Sequence, residues 1–150
     1  MRQNRLAIFA LTAFFSFMAF HQAAAEKTIT LHPSADGKGA IGKMVIQNLN
    51  QNEKEVSIHT EGLKPGAVYT VWLINMKPSI FPFVKPKMEM AGLGQGDYSF
   101  KTDDSGNGAY RATISGKDLG NWQLVKIAHH PDGNPKNMKS IISPLQADLR

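Results

Sequence analysis

Apolar and polar residues alternate with a period of two through most of this chain. The segment 53–60 shows the pattern clearly, with Val56 and Ile58 on one side and Ser57 and His59 on the other. Side chains on a β-strand point alternately to opposite faces, so the pattern predicts strands with one buried face. Long stretches with a helical period are absent from the sequence. The chain after residue 25 is therefore predicted to be all-β.

Turn signals separate eight such segments. The stretch 62–66 contains Pro65 between two glycines, and 103–108 is rich in Asp, Asn and Gly, which favour tight turns. Short strands at this spacing are typical of antiparallel sandwiches and barrels. We expect a single antiparallel Greek-key β-sandwich of about seven or eight strands. The predicted strand segments are 28–32, 40–49, 53–60, 67–76, 98–102, 109–114, 122–130 and 141–149.

One long connection, 77–96, does not follow the pattern. It contains three prolines, and proline cannot donate a backbone hydrogen bond to a sheet. A connection of this length in a compact domain is usually functional. Its apolar Phe81 and Phe83 are stiffened by proline and flanked by lysines, as in many interfaces. These two side chains are predicted to bind an envelope protein partner, or alternatively to cover the open end of the sandwich.

The first 25 residues have the three parts of a secretory signal peptide. Two arginines precede an apolar run, 6–20, and Ala23 and Ala25 fit a cleavage site for small residues. The apolar run is shorter than the roughly 20 residues that span a bilayer. We expect a signal peptide at 1–25 and a mature domain at 26–150. The mature domain is predicted to be periplasmic or secreted, with no membrane anchor after cleavage.

Composition narrows the classes of function. The chain has 17 Lys and Arg against 12 Asp and Glu. Without the two arginines of the signal peptide the balance is 15 against 12, or +3, which is too small an excess to favour nucleic acid. The sequence has no Cys, which excludes disulfides, thiol catalysis and a thiolate copper centre. The domain must therefore be stabilised by burial and hydrogen bonds alone.

Methionine and histidine offer candidate copper ligands. Met88 and Met90 lie two positions apart, so in an extended segment both side chains point to the same side. Thioether sulfur and imidazole suit copper, Cu(I) above all. His129 or His130 ends a strand from which one ring can reach the methionine pair, and Met76 is a candidate fourth ligand. These residues predict an exported, non-enzymatic protein that binds copper, with residue types similar to those of periplasmic copper metallochaperones.

The same residues also have a purely structural interpretation. Met88 and Met90 would then fill gaps where the long connection packs on the sheet, since methionine adapts to irregular spaces. The two histidines would be ordinary residues at the end of a strand. No ligand spacing here is diagnostic in the way that a C-x-x-C pair is.

Other chemistry finds less support in the sequence. The stretch 103–108 imitates the start of a calcium loop, but the twelfth position is Ile114 where a bidentate Glu is needed. We interpret it as a hairpin turn. No G-x-S-x-G or S-x-x-K motif is present, and the carboxylates are scattered. The chain is therefore not predicted to be an enzyme.

The segment 58–76 carries a family resemblance. Its G-L-K-P-G-A-V-Y is similar to the G-L-x-P-G-x-x-Y strand–turn–strand of copper–zinc superoxide dismutase, chordin-type (CHRD) domains and extracytoplasmic domains of anti-sigma factors. The stretches 100–110 and 122–135 extend the likeness to uncharacterised bacterial periplasmic proteins of this kind. The resemblance implies an immunoglobulin/superoxide-dismutase-like sandwich. It implies no dismutase activity, because the H-x-H ligand positions of that family fall within 69–73, which contains no His.

Overall fold

A computed structural model describes residues 26–78, 83, 85–94, 96 and 98–150 of the 150-residue chain. The signal peptide expected at 1–25 lies outside the described residues. The described part contains strands and one short helix, in the order β1 (Glu26–Pro33), β2 (Ile41–Asn48), β3 (Glu53–Glu61), β4 (Val68–Lys77), β5 (Lys87–Gly92), β6 (Ser99–Lys101), β7 (Gly108–Ser115), α1 (Gly116–Gly120), β8 (Leu124–His130) and β9 (Ile142–Asp148).

The strands form one curled antiparallel sheet, a half-barrel. Its order is β5-β4-β8-β9-β1-β2-β3-β7, and β6 pairs with the opposite end of β4 from β5. Strand β1 connects the β5-β4-β8-β9 part of the sheet to the β2-β3-β7 part. Its residues 26–31 pair with β2, whereas His32 and Pro33 pair with β9. The predicted antiparallel all-β class is confirmed. The Greek-key sandwich is not confirmed, because the sheet is continuous through β1.

The inner face of the curled sheet holds the core. Val56 and Ile58, which define the alternation in the sequence, are both fully buried there. Burial of each such side chain contributes about 1.5–3 kcal/mol. The other fully buried apolar side chains come from most of the strands and one connecting segment, and include Leu31, Met44, Val71, Leu93, Val125, Ile127 and Leu145.

Each of the eight predicted strand segments overlaps an observed strand, but the long connection is less irregular than expected. Strand β5 lies within 77–96 and pairs with β4 from Trp72 to Lys77. The prolines do not prevent this, because Pro78 follows β4 and Pro86 precedes β5. The prediction of a connection without regular structure is therefore wrong for 87–92.

The turn predicted at 103–108 is confirmed, and it uses its own carboxylate. Asp103 Oδ1 accepts hydrogen bonds from the backbone N–H of Asn107 at 2.8 Å and of Ser105 at 2.9 Å. These bonds, that of Asn107 first, lower the pKa of Asp103. Gly106 takes a positive φ of 81°, which glycine adopts without strain. The Asp103 carboxylate thus stabilises the hairpin turn.

The described residues contain no helix with both the length and the apolarity needed to cross a bilayer.

Candidate functional site

Three methionines lie together on the outer face of β4 and β5. Met76 is directly opposite Met88, and Met90 is directly opposite Ile74. Opposite residues share a face and residues two apart share a face, so Met76, Met88 and Met90 form one group. We call these three residues the methionine face. Their Cβ atoms are within about 5–8 Å of one another, a range that the long thioether side chains can close.

The methionine face is open to solvent. Met76 is 39% exposed, Met88 53% and Met90 38%. Large apolar side chains in such a cluster are normally covered by packing or a partner. A thioether sulfur is only a weak hydrogen-bond acceptor, so a shared ligand would displace no strong hydrogen bond from these side chains. The interpretation in which Met88 and Met90 pack the long connection onto the sheet stays a prediction, because 79–82 and 84 of that connection lie outside the described residues.

An aromatic pair fixes one end of the methionine face. Trp72 is directly opposite Gly92, and the Tyr98 ring occupies the space above that glycine, where a Cβ would overlap it. The Trp72 and Tyr98 rings meet edge to face with centroids 4.7 Å apart. The Trp72 indole Nε1–H donates a hydrogen bond to Thr70 Oγ1 at 2.8 Å, which sets the orientation of the ring.

The charged residues of β5 lie on the opposite side of the sheet. Glu89 is directly opposite Asn75. It lies between Met88 and Met90 in sequence, so its side chain points to the other face of the sheet. Its carboxylate binds Lys77 Nζ at 2.7 Å and lies 3.9 Å from Lys87 Nζ. The hydrogen bond from Lys77 is the main reason that the pKa of Glu89 is lowered. The methionine face therefore presents sulfur without an adjacent carboxylate from β5.

His130 is far from the methionines, and both of its ring nitrogens already have hydrogen-bond partners. It lies opposite Val68, six residues along β4 from the position opposite Met90. Six residues of extended chain span about 20 Å. The His130 ring is buried, with Nε2 at 2.8 Å from Thr70 Oγ1 and Nδ1 at 3.0 Å from the Asn137 carbonyl oxygen.

His129 faces the other side of the sheet. Its ring stacks on Tyr69 with centroids 5.1 Å apart and is mostly buried. The pKa of His129 is lowered, first by burial and then by the positive charge of Lys64 and by His130. Adjacent strand residues face opposite ways, so the expectation that only one of the two histidines can face the methionines agrees with the structure.

The structure brings together part of the predicted ligand set. Met76, Met88 and Met90 lie side by side, whereas His129 and His130 lie at the other end of β4. A first shell that combines these methionines with either histidine does not fit this geometry. Within the described ranges, no group of three or more His, Asp or Glu side chains is placed to hold a metal. A metal bound on the methionine face would therefore have thioether ligands from β4 and β5.

The predicted partner-binding residues are described only in part. Phe83 is 97% exposed, more than the other large hydrophobic residues that the structure describes. Phe81 lies outside the described residues.

Sequence reasoning missed the pairing of Met76 with Met88. The alternation Lys87-Met88-Glu89-Met90 is that of a strand, but the prolines of 77–96 led to the prediction of an irregular connection, so neither β5 nor its partner strand was predicted. The segment from Pro78 to Pro86 separates the two strands in sequence, and register across it depends on contacts that a local pattern does not contain.

A comparison with protein-family models, with curated proteins and with solved structures finds no match to this chain.

Proposed function

We propose that this protein is an exported, non-enzymatic binding protein that holds Cu(I) on the methionine face. The observation that carries the proposal is the register that sets Met76 opposite Met88 with Met90 on the same side. Soft thioether ligands favour Cu(I) over harder divalent ions, which prefer nitrogen and oxygen donors. Three neutral sulfur atoms suit a singly charged ion, and β5 turns its own carboxylate to the opposite side.

The proposal includes export. Residues 1–25 have the sequence of a signal peptide, and a metal site on an open sheet face suits a periplasmic or secreted carrier. We also propose that the half-barrel is a Greek-key sandwich whose two layers share β1. The support is the division of β1 between β2 and β9.

A competition titration with a Cu(I) chelator tests the metal site. We expect one Cu(I) per chain, with each of Met76→Leu, Met88→Leu and Met90→Leu weakening affinity at least about tenfold, or about 1.4 kcal/mol. Met138→Leu is the matched control, because Met138 is similarly exposed on the loop after β8, outside the methionine face. Uptake that survives the triple substitution, or that is lost equally in the control, contradicts the proposal.

One observation favours a second function, a protein-interaction module. Phenylalanine is among the residue types most often buried, whereas Phe83 is almost fully exposed and is followed by the exposed Lys85 and Lys87. In this alternative, Phe83→Ala abolishes capture of a partner from envelope extracts, whereas the methionine substitutions have no effect on capture. If Cu(I) uptake and partner capture both depend on the methionines alone, the alternative is excluded.

A further inference from the structure

A pocket of about 300 Å³ opens at one end of the half-barrel and shares no lining residue with the methionine face. Its apolar wall is formed by Ile46, Leu119 and Leu149, of which the first two are buried. Its polar part consists of Lys27, Asn48 and Lys54, with two glycines of α1 completing the rim. Pockets of this volume are at the lower limit for small molecules and often lie at the mouths of β-barrels.

The two lysines belong to the inner face of the sheet. Lys27 is directly opposite the core residue Ile46, and Lys54 is directly opposite Asn48, two residues further along β2. Opposite residues share a face, so both ammonium-bearing side chains start on the side of the sheet that holds the core. Lys27 lies two positions before the core residue Ile29 on β1, and Lys54 lies two positions before the core residue Val56 on β3. At this end of the half-barrel the inner face therefore carries positive charges.

Both ammonium groups are held by neutral oxygen atoms. Lys27 Nζ donates to the Leu149 carbonyl oxygen at 2.8 Å, and Lys54 Nζ donates to Asn48 Oδ1 at 2.7 Å. The stem of Lys54 runs past Gly116, where a Cβ would lie 3.2 Å from Lys54 Cε. In the part of the chain that the structure describes, neither lysine has a carboxylate partner and no acidic residue lines the pocket.

We infer that this pocket binds a small amphiphilic carboxylate, with its carboxylate on Lys27 and Lys54 and its alkyl chain against Leu119 and Leu149. An ammonium has three donors, so each lysine keeps donors for a ligand after its bond to a neutral oxygen. Among the described residues, these two positive charges have no carboxylate ion-pair partner, which favours an anion, and charge-assisted hydrogen bonds are the stronger kind. The apolar wall favours a ligand with a hydrocarbon tail. The inference does not depend on the copper proposal, since the two sites share no residue.

Calorimetric titration of the full chain with octanoate tests the inference, with 1-octanol and acetate as comparison ligands. We expect saturable octanoate binding at one site, and binding of the neutral alcohol and of the short anion at least about tenfold weaker. Equal affinity for 1-octanol overturns the role of the lysines. Equal affinity for acetate overturns the role of the apolar wall, and absence of saturable octanoate binding overturns the site.

Substitutions then assign the residues. Lys27→Met and Lys54→Met keep the length of the side chain and remove its charge, and each is expected to weaken octanoate binding about tenfold. Lys126→Met is the matched control, because Lys126 lies opposite Trp72 on the outer face. The control should bind as the unsubstituted chain does. If both pocket variants also bind as the unsubstituted chain does, while remaining folded by circular dichroism, the assignment is wrong.

Discussion

At the scale of single residues, Thr70 hydrogen-bonds with two rings, the buried imidazole of His130 and the half-buried indole of Trp72. Its Oγ1 accepts a hydrogen bond from Trp72 Nε1 and lies 2.8 Å from His130 Nε2. The Asn137 carbonyl can only accept, so His130 Nδ1 carries a proton and donates to it. In the neutral imidazole Nε2 is then an acceptor, and the Thr70 hydroxyl donates to it. The tautomer of His130 thus follows from its partners.

This arrangement makes the Thr70 hydroxyl costly to remove. Thr70→Val leaves the indole N–H and His130 Nε2 without their partner, and we expect a loss of about 2–4 kcal/mol in the free energy of unfolding. The control is Thr113→Val, the same change at an exposed position on β7, which should alter stability by less than about 0.5 kcal/mol. Urea denaturation measures both. Similar stabilities for the two variants would show that the hydrogen bonds through Thr70 contribute little.

His129 makes stability depend on pH. Its pKa is lowered in the folded chain, mainly by burial, so the unfolded chain binds a proton at higher pH than the folded chain does. The stabilising effect of the neutral ring is fully present above about pH 6.5 and is lost as the pH falls through the folded pKa. We expect His129→Phe to flatten the dependence of stability on pH below 6.5. His59→Phe, at an exposed position on β3, should retain it, and thermal unfolding from pH 5 to 7.5 distinguishes the two.

At the scale of elements, the packing of β5 on β4 depends on a glycine. A Cβ on Gly92 would overlap the Tyr98 ring, which packs against Trp72. Gly92→Ala must displace that ring, and we expect a loss of about 1–3 kcal/mol in the free energy of unfolding. Gly120→Ala is the control, since no atom lies within 4 Å of its added Cβ. A Gly92 variant as stable as the Gly120 variant would mean that the aromatic pair does not order β5.

Strands and turns that follow from local sequence patterns could be predicted, whereas the pairing between distant strands could not. The alternation around Val56 and Ile58 and the turn at 103–108 are local patterns, and both correspond to observed structure. The pairing of Met76 with Met88 is not local, because it depends on how β5 folds back onto β4. Local reasoning correctly separated the two adjacent histidines onto opposite faces. It could not show that the strand carrying them meets the far end of β4 from the methionines.

At the scale of the whole molecule, the curled sheet is continuous because β1 divides its pairing between β2 and β9. One strand pairs with β2 over most of its length and with β9 at its last two residues. That junction makes the sheet continuous, and no composition or periodicity in the sequence marks it. The two proposed sites lie on opposite sides of the resulting sheet: the methionine face is outside, and the lysine pocket opens from the inner face.

The export proposal concerns the whole chain and has a direct test. We expect protein purified from the envelope or the medium to begin at Glu26, which mass spectrometry of the intact chain measures. A chain expressed without 1–25 should remain in the cytoplasm. An intact Met1 on protein recovered outside the cytoplasm would contradict cleavage at this site.

The proposed Cu(I) site consists of thioethers from the methionine face. X-ray absorption spectroscopy of the Cu(I)-loaded protein measures the ligand atoms directly, without reliance on affinity. We expect a first shell of sulfur from Met76, Met88 and Met90, with sulfur scattering reduced in Met88→Leu. A shell that contains imidazole nitrogen, or a spectrum that Met88→Leu leaves unchanged, would contradict the proposed copper site.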